Sequence, residues 1–377
     1  MTNNAKQSTE SMTKREMNLR VFDGRPLPHV FFQPRIEPWI DLHKRDGTLP
    51  DTLVGLDMYE AYEALDISMR YVNYFTGAPS PIDASYSKEV RVHSKELTGG
   101  LLNTIETPYG ALETRYGMSH DGYRIVDFPI KTSEDFRKTA WFFSNIYYTF
   151  NQKAFDEGSR MMGDLGEPQF FVPRSPYQAF SLDWMRYEDF VVALMETPEE
   201  VQALMDIMDA SYDPLYEQLA AAKHLHIINF GENIDARLMS PALFERYHMP
   251  FYEKRVPPLR EADIYTTVHL DGSLGPLLPY LGKLPMDALE ALTPAPQGDV
   301  TIEQLKESLG DKILMDGIPA VLFLPEFSDQ QLQECVAQLV QLFAPRLVLG
   351  ISDELPMGAG PDAINRLLWV RDFCRTH

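Results

Sequence analysis

The sequence predicts an α/β chain folded as a (β/α)8 TIM barrel, with an N-terminal extension and a β-hairpin insertion. Three observations lead there. From about residue 197 onward, five short apolar runs alternate with amphipathic helical stretches, the pattern of a parallel sheet wound by crossover helices. Two further apolar runs upstream, at 29–32 and 169–172, bring the number toward the eight staves of a closed barrel. No Gly-x-Gly-x-x-Gly or Walker pattern follows any run. That counts against the second choice, an open doubly wound sheet binding a nucleotide.

Taken in order, residues 1 to about 18 are rich in Asn, Ser, Thr, Lys and Glu without a periodic apolar face, and read as a flexible tail. The remainder, 19–377, reads as one barrel domain. Within it, about 86–129 changes rhythm: 90–97, 104–116 and 123–128 alternate with period two around Pro108-Tyr109-Gly110, the mark of antiparallel hairpins. Thr197-Pro198-Glu199-Glu200 reads as a capping box opening a helix whose apolar positions run from Val201 to Leu219. Strands are expected at 225–230, 264–270, 286–292, 312–318 and 347–351. Helices are expected from Ser240-Pro241, Thr301 (with Gln304), Ser328 (with Gln331) and after Pro361.

Composition narrows the function. With 55 Asp+Glu against 34 Lys+Arg the net charge is −21, which repels nucleic-acid backbones and anionic membranes. The two cysteines, Cys335 and Cys374, have no metal spacing and form no disulfide framework, as suits a reducing, cytoplasmic setting. No apolar run reaches the roughly 18 residues of a membrane span. The polar start lacks the apolar core of a signal peptide.

Barrel chemistry sits at the C-terminal ends of the strands. Those ends carry Glu232, His269 with Asp271, Glu290, Asp316, and Asp353 with Glu354. Carboxylates crowded on one face must be protonated, paired or holding a cation. One imidazole with several oxygens suits zinc in an open catalytic site, or a harder ion such as Mn²⁺. The plain alternative is that strand-end carboxylates cap the following helix, the role expected of Asp316 and Glu354. In the same reading His269 is a satisfied core histidine, and Asp271-Gly272 merely shapes a turn. His224, His226 and His248 are expected to have no part in chemistry. The aromatic stretch 171–180 either lines a pocket or packs the barrel rim.

Four stretches, 231–254, 266–272, 290–318 and 347–356, resemble the uroporphyrinogen decarboxylase superfamily over about 190–375. The resemblance lies closer to its corrinoid-dependent, O-demethylase-like methyltransferases than to the true decarboxylases. The decarboxylases carry an Arg-rich N-terminal segment, where this chain has Arg35 alone in 31–39. Thiol-directed members hold zinc with His-x-Cys and a distant Cys, positions that correspond here to His269-Leu270-Asp271 and Asp353. Both sulfurs have become oxygens, suiting an ion that grips oxygen.

The resemblance implies a metal site of Glu232, His269 and Glu290, with Asp271 and Asp353 as further ligands or catalytic groups. It also implies demethylation of a small O-methyl or related methyl donor, with the methyl passing to a cobalamin. No Asp-x-His-x-x-Gly motif occurs, so the cobalamin would ride on a partner corrinoid protein. Two other readings stand beside it: a metal-free lyase or decarboxylase using Asp271 or Asp353 to handle protons, and a non-catalytic binding barrel.

Overall fold

Strands that are apolar on both faces need cover on both sides, and seven such runs pair in parallel here. The computed structural model describes residues 12–119 and 122–377. In chain order the strands are β1 (Phe31–Phe32), β2 (Ile82–Tyr86), β3 (Arg91–Leu97), β4 (Gly100–Thr107), β5 (Gly110–Ser119), β6 (Gly122–Asp127) and β7 (Ile146–Phe150). They continue as β8 (Phe171–Val172), β9 (Ile227–Phe230), β10 (Tyr265–His269), β11 (Ala288–Glu290), β12 (Ile313–Pro319) and β13 (Leu347–Ser352). One parallel sheet runs in the order β1-β13-β12-β11-β10-β9-β8. Its members are the seven runs expected at 29–32, 169–172 and the five downstream positions.

The two edges of that sheet, β1 and β8, are bridged by residues 68–72. Ser68 N–H donates to Phe32 O at 3.4 Å, Val72 N–H donates to Gln169 O at 3.0 Å, and Tyr71 bridges in parallel to Gln169. These few bonds supply the eighth stave. Arg70 interrupts its apolar pattern, yet all five of its residues are buried. The helices Pro198–Ala220, Met249–Glu261, Ile302–Leu309, Asp329–Phe343 and Ala363–Arg375 supply the outer layer.

The tail expected over 1–18 lies outside the described residues as far as 11, and its remainder is ordered. Thr13 and Glu16 form a capping box that starts a helix over Lys14–Phe22. Met17, Val21 and Phe22 bury against Phe31, Ile227, Ala288, Ile313 and Val348, at or near the starts of the barrel strands. The helix therefore covers the N-terminal end of the barrel. Thr197 also departs from expectation: its hydroxyl donates back to Ala193 O at 3.2 Å, so it does not cap the helix that begins at Pro198. Thr301–Gln304 and Ser328–Gln331 are capping boxes.

β3 to β6 form an antiparallel meander in sequence order, and β2 pairs antiparallel with β7. Thr107 pairs with Gly110 across a two-residue Pro108-Tyr109 turn, with Gly110 at φ 117°, a conformation that favours glycine. Leu112 is buried, and the helix Ser133–Phe143 lies against β5. Among the described residues no helix is long and apolar enough to cross a membrane.

Candidate active site

Parallel register brings the strand-end residues together. His269 closes β10 and lies beside Glu290, which closes β11; Asp316 in β12 lies beside Leu349 in β13, and Asp353 and Glu354 follow β13 directly. Asp316 has φ 72° and Gly317 φ 95°, a local break in the pleat. The Asp316 carboxylate lies over Gly350, where a side chain would collide with Oδ1.

His269, Asp271 and Asp353 each offer a ligand atom, all within 4.8 Å of one another. His269 Nε2 is 3.6 Å from Asp353 Oδ1, and Nδ1 is 3.6 Å from Glu290 Oε1. Neither ring nitrogen has a hydrogen-bond partner, although the side chain is buried. The ordinary expectation for a core histidine is a satisfied ring; this one is aimed at carboxylates without being hydrogen-bonded. Burial disfavours its charged form, but Asp353 and Glu290 outweigh that and raise its pKa above the ordinary value. Burial raises the carboxyl of Asp271, with His269 opposing and Asp353 reinforcing the rise.

The other carboxylates have partners that sequence reading did not foresee. Glu290 Oε1 accepts from Tyr71 Oη at 2.6 Å and Arg70 Nη1 at 2.8 Å, and lies 3.4 Å from Arg35 Nη1. Burial alone would push Glu290 up, but Arg70, His269 and Arg35 hold it well below the usual carboxylate range. Asp316, expected as a helix cap, is instead bidentate with Arg70, through Nη2 at 2.6 Å and Nη1 at 3.1 Å. Glu354, likewise expected as a cap, accepts from Arg35 Nη2 at 2.9 Å and Tyr74 Oη at 2.8 Å. Arg35 Nη2 also reaches Asp353 at 2.7 Å.

Glu232 is not drawn into this cluster. Its buried carboxylate accepts the Ser175 N–H at 3.0 Å and the Ser175 hydroxyl at 2.8 Å. Burial pushes it up to about 7 against those lowering contacts. His248 sits behind it, 3.2 Å from Ser175 Oγ, held neutral by burial at a pKa of about 3. His226 lies apart, bonded to Glu167 at 2.6 Å.

Of the five carboxylates near His269, Glu290, Asp316, Asp353 and Glu354 share two guanidiniums, Arg35 and Arg70, and Asp271 pairs with neither. Buried charge of one sign needs compensation by protons or a cation. The donor set of one unpartnered imidazole and two carboxylates fits a divalent ion. Beside it opens a cavity of about 500 Å³, lined by His269, Asp353, Arg35, Tyr74 and, from the 171–180 stretch, Phe171 to Arg174 and Ala179. Arg70, Tyr71 and Arg174 are the functional candidates that the sequence did not single out. For Arg70 and Tyr71 the signal was an arginine inside the apolar run 67–72, and for Arg174 it was its place in the stretch 171–180.

The sequence profile of the uroporphyrinogen decarboxylase (URO-D) family matches residues 179–372, slightly more than half of the chain. The chain belongs to that family. The URO-D match takes in every carboxylate and the histidine of the cluster, but not Arg35, Arg70 or Arg174. No curated protein matches the sequence. Among solved structures, a methyltransferase from Methanosarcina mazei has a TM-score of 0.59 at 13% identity, covering 96% of this chain and 99% of that one. A B12-independent methionine synthase from Shewanella sp. W3-18-1 gives a TM-score of 0.42 at 11% identity, covering 83% and 84%. At such identity the first likeness is one of fold.

Proposed function

We propose that this URO-D family chain is a metal-dependent methyltransferase. It takes the methyl group of a small methylated substrate, an O-methyl compound in the first instance, and passes it to a corrinoid carried by a partner protein. The observation that supports this best is the His269-Asp271-Asp353 cluster at the edge of a cavity of about 500 Å³, with more carboxylate around it than arginine to neutralise it. The whole-chain likeness to a methyltransferase fold is in keeping with it.

In this reading His269, Asp271 and Asp353 hold zinc or another divalent ion. Such an ion supplies Lewis acidity, drawing off the negative charge that develops on a departing oxygen, a contribution of several kcal/mol. Glu290, expected as a ligand, is committed to Tyr71 and Arg70 and backs Nδ1 of His269, leaving Nε2 for the cluster. Glu232, also expected as a ligand, stays with Ser175 as a buried group able to hold a proton near neutral pH.

Elemental analysis of the purified protein tests the metal. About one equivalent of a divalent ion is expected in the parent protein and none in His269→Ala, with methyl-ether turnover by cob(I)alamin lost in the same variant. Full activity in a metal-free His269→Ala protein would sink the assignment.

A second reading draws support from the cavity-lining guanidiniums of Arg35 and Arg174: a lyase that grips a carboxylated substrate and uses Asp271 or Asp353 to move its proton. It requires turnover of a carboxylated compound by chelator-treated protein, which the first reading excludes.

A further inference from the structure

Three guanidiniums reach this end of the barrel, and they are unequally engaged. Arg70 is bidentate to Asp316 and also holds Glu290. Arg35 spans Asp353, Glu354 and Glu290. Arg174 touches one carboxylate through one nitrogen: both Asp183 oxygens lie on Nη1, at 3.3 and 3.2 Å. Its Nε is buried without a hydrogen-bond partner, and among the described residues Nη2 has none either. A guanidinium offers five N–H donors in a rigid fork matched to a carboxylate, and most of this fork is unused. Burial raises the Asp183 carboxyl, with Arg174 opposing the rise.

Aromatic rings share the cavity with Arg174. Phe143, Tyr148, Phe171 and Trp184 line the same cavity, with Phe143 and Trp184 edge to face at 4.7 Å between centroids. Aromatic walls beside one under-used cation favour a planar ligand with an anionic end. His269 and Asp353 line that cavity too, so one small molecule can meet both regions.

We propose that Arg174 is the specificity-determining residue of the cavity: it takes the carboxylate of a flat, unsaturated substrate whose body lies among Phe143, Tyr148, Phe171 and Trp184. This rests on the cavity being the substrate site, but not on methyl transfer.

Binding of benzoate, benzamide and benzyltrimethylammonium to the full chain, followed by calorimetry with and without EDTA, tests it. Benzoate is expected to bind at least about tenfold more tightly than the other two, the scale of a charge-assisted hydrogen bond. Arg174→Met should erase that preference, and Asp183→Asn, which frees the guanidinium, should strengthen benzoate binding. Benzoate binding that falls on chelation but survives Arg174→Met would place the anion on a metal and overturn the proposal. So would a preference for benzyltrimethylammonium. If Arg174→Met does not fold, Asp183→Asn decides alone: unchanged or weaker benzoate binding overturns the proposal. No turnover is measured, so a failed methyl-transfer assay leaves this result standing, and the reverse also holds.

Discussion

The two halves of the chain bring opposite charges to one site. Beyond residue 179, β10 to β13 and the turns after them deliver His269, Asp271, Glu290, Asp316, Asp353 and Glu354; before it, the segments around β1, 68–72 and β8 deliver Arg35, Arg70 and Arg174. The halves differ as well in what they give to the parallel sheet. β12 and β13 run for seven and six residues, whereas β1 and β8 have two each and the stave between them is only bridged. The C-terminal strands are tied to one another by ladder bonds, six register pairs between β12 and β13 alone. The short staves β1, 68–72 and β8 share one apolar core with the C-terminal half, and Arg35 and Arg70 add ion pairs across the same junction, so those arginines serve structure and chemistry together.

Cutting Arg70 should break that junction most severely. Arg70→Met leaves Glu290 and Asp316 buried without their guanidinium, at a cost of about 3–5 kcal/mol in denaturant unfolding. Adding Asp316→Asn should recover part of the loss, because one uncompensated charge disappears with it. A variant as stable as the parent would show that the halves do not depend on this pair.

Arg35→Gln should cost less, about 1–3 kcal/mol, because its partners Asp353 and Glu354 are part-exposed and Glu290 keeps Arg70 and Tyr71. The same change sharpens the charge argument. With Arg35 gone, the carboxylates around His269 are less neutralised, and zinc affinity, measured by competition with a chelating dye, should rise. Weaker zinc binding would instead make Arg35 the group that positions Asp353.

The contrast between the halves also explains what could be read in advance. Barrel strands such as 264–270 and 347–351 are short β-branched or leucine-rich runs bounded by turn residues, so their ends, and with them His269, Asp271 and Asp353, were legible. Residues 68–72 were not, since Arg70 looks like a surface residue until its two buried carboxylate partners are known. Those partners lie 220 and 246 positions away. Asp316 and Glu354 were misread for the same reason: a carboxylate after a strand caps the next helix only when no distant arginine claims it, and no local pattern reveals such a claim. Glu232 was placed at the right strand end, but the turn that brings Ser175 against it lies 57 positions upstream.

The smallest expected effect lies outside the site, where the halves meet through His226 and Glu167. Their 2.6 Å hydrogen bond raises the imidazole pKa above its ordinary value, with burial opposing. A base raised in the folded state adds stability that is present in full below its unfolded value, near 6.5, and lost as pH rises through the folded value. His226→Gln should therefore destabilise more at about pH 5.5 than at about pH 9, with unfolding free energies measured at both. The difference should stay under about 1 kcal/mol, because His226 is 40% exposed and Arg15 still holds Glu167 at 2.9 Å. A pH-independent difference would mean that the imidazole contributes through packing alone.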